Sequence, residues 1–318
     1  MIQQTKNQPH PPTANSASVI IPIINAATLL PDLLDRLESQ QPAPPAEIIL
    51  VDSGSTDNPQ EIVKQHERAR IIPIEKFSHG RSRNLGAQAA SGEFVVLMTQ
   101  DALPHDNQWL AALLAPLADP AVAAAFSRQI PRADAPPTEK FFLNYHFPPG
   151  AQRRQQAGDN ATPAFARTVF FSNVSAVIRR ECLLQHPFDE TLIMSEDQQV
   201  ARDLLAAGYA IVYEPASAVI HSHRYSLNIA FRRYFDSVYS LTKIFPQHDM
   251  HASASLGLSY LRKEVGFILR RYPWYLPYYL LYTIAKTGGT IAGHYAERLP
   301  RRLTRLCSLH RYHWDDAT

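Results

Sequence analysis

Cysteine is nearly absent: Cys182 and Cys307 are the only two in 318 residues. They lie far apart, with no C-x-x-C or Cys/His spacing, so neither a disulfide framework nor a cysteine zinc site is indicated, and a reducing compartment fits. Long apolar runs are also missing. Nowhere do about eighteen apolar residues run without a charge, which argues against a membrane-spanning helix. The longest candidate, YPWYLPYYLLYTIA at 272–285, is bounded by Arg271 and Lys286 and is too short to span. Residues 1–17, MIQQTKNQPHPPTANSA, hold no apolar core of secretory-signal length and read as a disordered, proline-rich tail. No fixed-period self-similarity appears, which sets repeat architectures aside.

What is present suits a globular protein. A composition that is 45% hydrophobic allows a proper core, and 318 residues suffice for one large or two modest domains. The formal charge of +2 hides an asymmetry between the ends of the chain. From Leu261 to Thr318 there are ten Lys/Arg against four Asp/Glu, a balance of +6, so the rest of the chain stands at −4.

Periodicity gives the organisation. SVIIPIIN (18–25) reads as a buried strand, and the following ATLLPDLLDRLESQ places Leu29, Leu30, Leu33, Leu34 and Leu37 on one helix face. EIILVDSGSTD (47–57) is a second strand running into a polar loop; NPQEIVKQHERA then starts a helix with Asn58 or Asp57 as cap and Pro59 in its first turn. ARIIPIE is a third strand, GRSRNLGAQAASG (80–92) a small-residue helix closed by Gly92, and EFVVLMTQ a fourth strand. Four strands alternating with helices predict a parallel α/β sheet whose ligands bind at the strand C-termini. VFFSNVSAVIRRECLLQH (169–186) reads as a strand pair leading into a helix. SEDQQVARDLLAAGYAIVYEPASAVIHSHRYS (195–226) reads as a helix stopped at Gly208 and a strand ending in a histidine pair.

Polar clusters fall where those strands end. Asp52 in VDSGSTD is placed to accept hydrogen bonds from a base or ribose, although an ordinary capped turn has the same composition. Arg81, Arg83 and Asn84 open a helix, where N–H and guanidinium groups suit a phosphate or sugar oxygen; a solvated helix start is the plainer account. Thr99, Gln100 and Asp101 end the fourth strand, a position that a capping loop would also explain. Glu196 and Asp197 begin a helix, and in isolation they would be dipole-complementing residues.

Taken in order, these motifs resemble the family 2 glycosyltransferases with a GT-A fold. The family's V-I-P-x-x-N strand corresponds to VIIPIIN, with Pro22 and Asn25. Its VDDGSxD corresponds to VDSGSTD, with Asp52 and Ser53, its RNxG to RNLG, and its terminal ED pair to Glu196 and Asp197. The resemblance covers about residues 18–226 and implies a Rossmann-like, mostly parallel sheet flanked by helices. The variants VDSGSTD, FSHGRSRNLGA and TQDA are most similar to bacterial rhamnosyltransferases that use dTDP-L-rhamnose. Where the family has Asp-x-Asp, this chain has Thr99-Gln100-Asp101, so its first metal-binding carboxylate is missing and Asp101 keeps the second role.

The resemblance implies Pro22, Asn25, Asp52, Ser53, Arg81, Arg83, Asn84, Thr99, Gln100 and Asp101 as donor-binding residues. Asp197 matches the base that deprotonates the acceptor hydroxyl in an inverting displacement, with Glu196 as neighbour and fallback. His221 and His223 lie two apart at a strand end and share a face. Neutral imidazole there suits Mn²⁺ and tolerates Mg²⁺, so Asp101, His221 and His223 are the candidate metal ligands, although exposed strand histidines look the same in sequence. Arg81, Arg83 or Arg224 is available to assist the leaving diphosphate.

The chain therefore divides into a tail (1–17), a nucleotide-sugar-binding and catalytic domain (18–226) and a helical, basic and aromatic C-terminal region (227–318). Tyrosines and Trp274 crowd between arginines in that last region, which is the physics of an interfacial helix; a packing or dimerisation subdomain is the alternative. The expected activity is rhamnosyl transfer from dTDP-L-rhamnose to a lipid-linked or cell-surface glycan, with peripheral contact at the cytoplasmic membrane face. Its rivals are a UDP-hexose transferase and a non-catalytic nucleotide-sugar-binding scaffold. Nucleic acid is not an expected partner, because the basic cluster lies outside the nucleotide motifs.

Overall fold

The apolar run at residue 18 forms the first strand, β1 (Ala17–Ile23), of a computed structural model that describes residues 12–156, 169–246 and 250–315. Most of the expected tail, residues 1–11, lies outside the described residues; Ala14–Ser16 form a 3-10 turn that leads into β1. The remaining strands are β2 (Glu47–Asp52), β3 (Ala69–Pro73), β4 (Phe94–Met98), β5 (Leu103–Pro104), β6 (Val122–Ile130), β7 (Arg153–Gln156), β8 (Ser175–Arg179) and β9 (Ala210–Ile220). They form one sheet in the order β3-β2-β1-β4-β8-β6-β9-β5, with β7 paired to β9.

β1 to β4 are mutually parallel, and β6 and β9 run the same way, while β8, β5 and β7 are antiparallel to their neighbours. The C-terminal ends of β1, β2, β3, β4, β6 and β9 consequently share one edge. That edge is where polar loops can reach a ligand without breaking the ladder.

Both faces of the sheet are covered. Val19, Ile21 and Ile23 of β1 enter one core with Leu30, Leu33, Leu34 and Leu37 of the helix Leu30–Glu38, while Ile20 enters the opposite core. Each fully buried leucine contributes about 1.5–3 kcal/mol relative to an exposed one. Leu29, expected on that face, instead precedes the helix and is exposed, because the helix begins one residue later.

Several local expectations are corrected. The helix Pro59–Val63 is only five residues long, and its N-cap Asn58 is left-handed without a side-chain cap. The Asp57 carboxylate instead accepts from the Ala27 N–H at 2.7 Å, tying the loop after β2 to the loop after β1. The helix His79–Ala89 is capped by the Ser78 hydroxyl, which accepts from the Arg81 N–H, and it ends before Gly92. Gly92 serves close packing: a Cβ there would stand 2.6 Å from the Ser16 carbonyl oxygen. Of the strand pair expected over 169–186, β8 alone forms, followed by the helix Arg180–Gln185.

Beyond β9 the chain is helical, with long helices at Leu227–Ile244, Met250–Arg271 and Leu276–His294 and a short one at Arg301–Cys307. No helix among the described residues is long and apolar enough to cross a membrane. Both cysteines are free.

Candidate active site

Strand register assembles the first cluster. Ile220 of β9 pairs with Leu103 of β5 and with Ile130 of β6, so the turn at Asp101, the loop after β6 and the histidine pair after β9 converge. His221 Nε2 lies 3.6 Å and His223 Nδ1 3.7 Å from Asp101 Oδ2. The ligand atoms of all three residues are within 4.8 Å of one another. One carboxylate and two imidazoles at that spacing fit a divalent cation.

Electrostatics favour an ionised Asp101 and neutral imidazoles. Burial opposes ionisation of Asp101, but attraction by His221 and then His223 outweighs it and keeps the carboxyl below its usual range. Burial lowers the His221 pKa to about 3 against the pull of Asp101, and it lowers His223 as well, so both rings are neutral donors at pH 7.

Two residues that the motifs did not reveal hold this cluster. Gln129 of β6 lies 2.9 Å from His221 Nδ1, and its own amide nitrogen donates to the Ser172 hydroxyl. Arg132 donates to the Asp101 carbonyl at 2.6 Å and the Ser222 carbonyl at 2.9 Å, clamping the two ligand loops together. A polar Gln129 near the end of β6 was the available signal; Arg132 had none.

A second cluster surrounds the acidic pair. Ser195, left-handed at φ 63°, stands at the N-cap position of the helix Glu196–Ala206 without a side-chain cap. Glu196 is buried and accepts from Arg83 at 2.9 Å; burial disfavours its charge, but Arg83 overcomes this and keeps it ionised. Loss of solvent and then the like charge of Glu196 raise the Asp197 pKa to about 7. The Asn173 amide nitrogen approaches Glu196 at 3.4 Å and its backbone N–H approaches Asp197 at 3.5 Å.

These residues sit between two cavities. One, of about 510 Å³, is lined by Pro22, Ile24, Ser53, Phe77, Arg83 and Gln100 among others, and also by Thr99, His79 and Tyr312. Ser53 Oγ, His79 Nε2 and Arg83 Nε in its wall are buried without a hydrogen-bond partner among the described residues. Unmet groups of this kind mark a place for a polar ligand. The other, of about 470 Å³, is lined by Asp197, His221 and His223 together with Tyr225, Tyr234, Tyr260 and Tyr282, the Tyr225 ring stacking on His223 at 5.1 Å.

The remaining motif residues mostly shape loops. Asn25, left-handed at φ 47°, accepts from the Thr56 N–H and donates its own N–H to the Ser55 hydroxyl. Asp52, 7% exposed, accepts from the Ser55 N–H and the Ser55 hydroxyl on one carboxylate oxygen. Gln100 pairs its amide with both backbone groups of Ile24, joining the ends of β4 and β1. Arg81 is paired with Glu190 at 2.8 Å, and Asn84 donates to the Phe188 carbonyl; neither lines either cavity. Arg224 donates to the Asp134 carbonyl at 2.8 Å, outside both large cavities.

Residues 18–180 match the model of the family "Glycosyl transferase family 2". The chain belongs to that family. It is 31% identical over 304 residues to the O-antigen chain rhamnosyltransferase RfbN of Salmonella typhimurium, covering 94% of this chain and 96% of that protein. It is also 31% identical to WbaN, the O-antigen chain rhamnosyltransferase of Salmonella anatum, over 95% of this chain and 96% of that one. Among solved structures it resembles the mannosyltransferase PcManGT of Pyrobaculum calidifontis in complex with GDP-Man and Mn²⁺, with a TM-score of 0.56 and 21% identity over 94% of this chain and 85% of that one. S. aureus TarS 1-349 gives a TM-score of 0.53 at 17% identity over the same shares. The fold is therefore the GT-A-like α/β arrangement with a helical C-terminal region, and the protein is a glycosyltransferase.

Proposed function

We propose that this glycosyltransferase moves L-rhamnose from dTDP-L-rhamnose to a hydroxyl of a growing, lipid-linked cell-surface glycan, with inversion at the anomeric carbon. Full-length similarity to two rhamnosyltransferases supports the sugar. The observation that carries the chemistry is Asp197, a carboxyl raised to about 7 that lines a cavity also bordered by the histidines of the cation cluster.

In this reading the nucleoside half of the donor enters the cavity of Ser53 and Arg83, and the diphosphate lies toward Thr99, Gln100 and Asp101. A divalent ion, Mg²⁺ or Mn²⁺, held by Asp101 with His221 and His223 would supply positive charge against the leaving diphosphate. Asp197 takes the proton of the acceptor hydroxyl as its oxygen bonds to the anomeric carbon, on the face opposite the departing dTDP. Glu196 stays ionised on Arg83 and keeps the Asp197 pKa high. The acceptor glycan occupies the tyrosine-lined cavity, where ring faces suit a pyranose and where Glu139, Glu264 and Lys286 offer polar contacts. The lipid-linked acceptor places the enzyme peripherally at the cytoplasmic face of the membrane.

Calorimetric titration with dTDP-L-rhamnose, UDP-glucose and UDP-N-acetylglucosamine, each with and without Mn²⁺, tests the donor. Binding of the dTDP sugar alone, strengthened by Mn²⁺, is expected. Preference for a UDP sugar would refute the rhamnosyl assignment. In Asp197→Asn the binding should persist while donor turnover is lost.

A further inference from the structure

The segment Ser308–Asp315 lies more than 200 residues after the nucleotide motifs yet reaches their cavity. Tyr312 lines that cavity together with Phe77 and His79. Its ring meets Phe77 edge-on with centroids 6.4 Å apart, Phe77 meets His79 at 5.1 Å, and His79 meets His310 at 5.2 Å. Four rings from two distant parts of the chain thus form one continuous group.

The segment is fastened in place. Asp236, on the helix Leu227–Ile244 and 0% exposed, accepts from the Leu309 N–H at 2.8 Å and the His310 N–H at 3.1 Å. Both donors fall on Oδ2 of this buried carboxyl, and losing them would leave that oxygen unpaired as well, so the contact fastens the path of the segment. Trp314 packs on Tyr239 at 5.0 Å, and Arg301 donates to the carbonyls of Trp314 and Asp315.

The cavity beside this group combines unmet polar atoms on Ser53, His79 and Arg83 with the rings of Phe77 and Tyr312. Its Thr99 and Gln100 wall adjoins the cation cluster in sequence, which leaves the aromatic wall for the nucleoside. We propose that Tyr312 is a donor-binding residue that packs its ring on the nucleoside of the bound nucleoside diphosphate, and that Asp236 is the positioning residue that holds it there. This rests on the reading of the cavity as the donor site.

Hydrogen exchange of the full chain with and without dTDP, followed by dTDP calorimetry on Tyr312→Ala, Tyr312→Phe and Asp236→Ala, separates the two claims. The expected result is dTDP-dependent protection at residues 22–25, 76–83 and 309–314 together. Loss of one ring stacked on a base should raise the dTDP Kd by about tenfold or more in Tyr312→Ala, with Tyr312→Phe near the parent. Asp236→Ala should raise exchange at 309–314 and the donor KM while leaving the acceptor KM unchanged. Tyr312 is 40% exposed, so its alanine variant should fold even if Asp236→Ala does not. Protection at 22–25 and 76–83 without any at 309–314, or an unchanged Kd in Tyr312→Ala, would overturn the inference and leave the donor reading intact. No protection in any of these segments would overturn both.

Discussion

At β6 the side chain of Gln129 is buried, and its amide oxygen lies 2.9 Å from His221 Nδ1. The bond from its amide nitrogen to Ser172 sets which way the amide points, so Nδ1 carries the proton and Nε2 presents its lone pair toward Asp101. A partner of this kind orients a ligating imidazole and raises its basicity, and removing it typically weakens metal affinity by about 10–100-fold. Gln129→Leu is therefore expected to weaken Mn²⁺ binding by that order in calorimetry. An unchanged Kd would refute His221 as a ligand. At Asp197 the same scale of argument gives a pH dependence. As the proposed base, Asp197 works only when ionised, and burial followed by Glu196 raises its pKa to about 7. Activity should thus rise about tenfold per pH unit below 7 and level off above it. Glu196→Gln removes the like charge and leaves Arg83 in place, so the inflection should move to lower pH; a rate profile already flat from pH 5 would refute the raised pKa of Asp197.

Among the elements, the helices Leu227–Ile244 and Leu276–His294 approach closely enough to exclude side chains at two glycines. A Cβ at Gly289 or Gly293 would overlap the carbonyl of Phe231 or Phe235, which is backbone and cannot swing aside. Gly289→Val should therefore force the helices apart and cost about 1–3 kcal/mol or more, lowering the thermal midpoint. Gly266, on the helix Met250–Arg271, has nothing within 4 Å of the equivalent position. Gly266→Ala should stabilise by up to about 1 kcal/mol through helix propensity, and a similar loss in both variants would count against the packing argument. The difference between these glycines is invisible in sequence, because it depends on what lies across the interface. The same limit explains which parts of the site could be read. β1 to β4 and their loops were legible because each follows a local apolar run, and Asp101, His221, Glu196 and Asp197 sit at such run ends. Arg132 and Tyr312 were not, since the first matters through the β6–β9 register and the second through a segment folded back by Asp236. Arg81 and Asn84 were legible as polar residues at a helix start, but their partners Glu190 and Phe188 lie more than 100 residues away.

For the whole molecule, the helix Leu276–His294 presents two different faces. Tyr282 and Lys286 line the cavity that contains Asp197, with Lys286 paired to the buried Glu264 at 3.2 Å. Leu280, Leu281, Ile284 and Ile291 are exposed on the side turned to solvent, Ile284 at 69%, and Trp274 just before the helix is 74% exposed. Arg270, Arg271, Arg298, Arg301 and Arg302 are exposed on the segments flanking this helix. An apolar ridge flanked by cations is the combination that binds an anionic bilayer surface: each basic group near the surface contributes about 1 kcal/mol, and each inserted Leu or Ile about 1.5–3 kcal/mol. Under the proposed function, a lipid-anchored acceptor would approach the cavity from that surface. The protein should co-float with vesicles rich in phosphatidylserine, bind neutral phosphatidylcholine vesicles less, and lose binding as salt rises. Leu281→Asp with Ile284→Asp should cut vesicle binding by about tenfold or more while leaving turnover of a water-soluble acceptor unchanged, since neither side chain lines the cavity. Equal flotation of the parent and the double variant would show that the ridge serves another contact, and a salt-independent interaction would remove the arginines from the account.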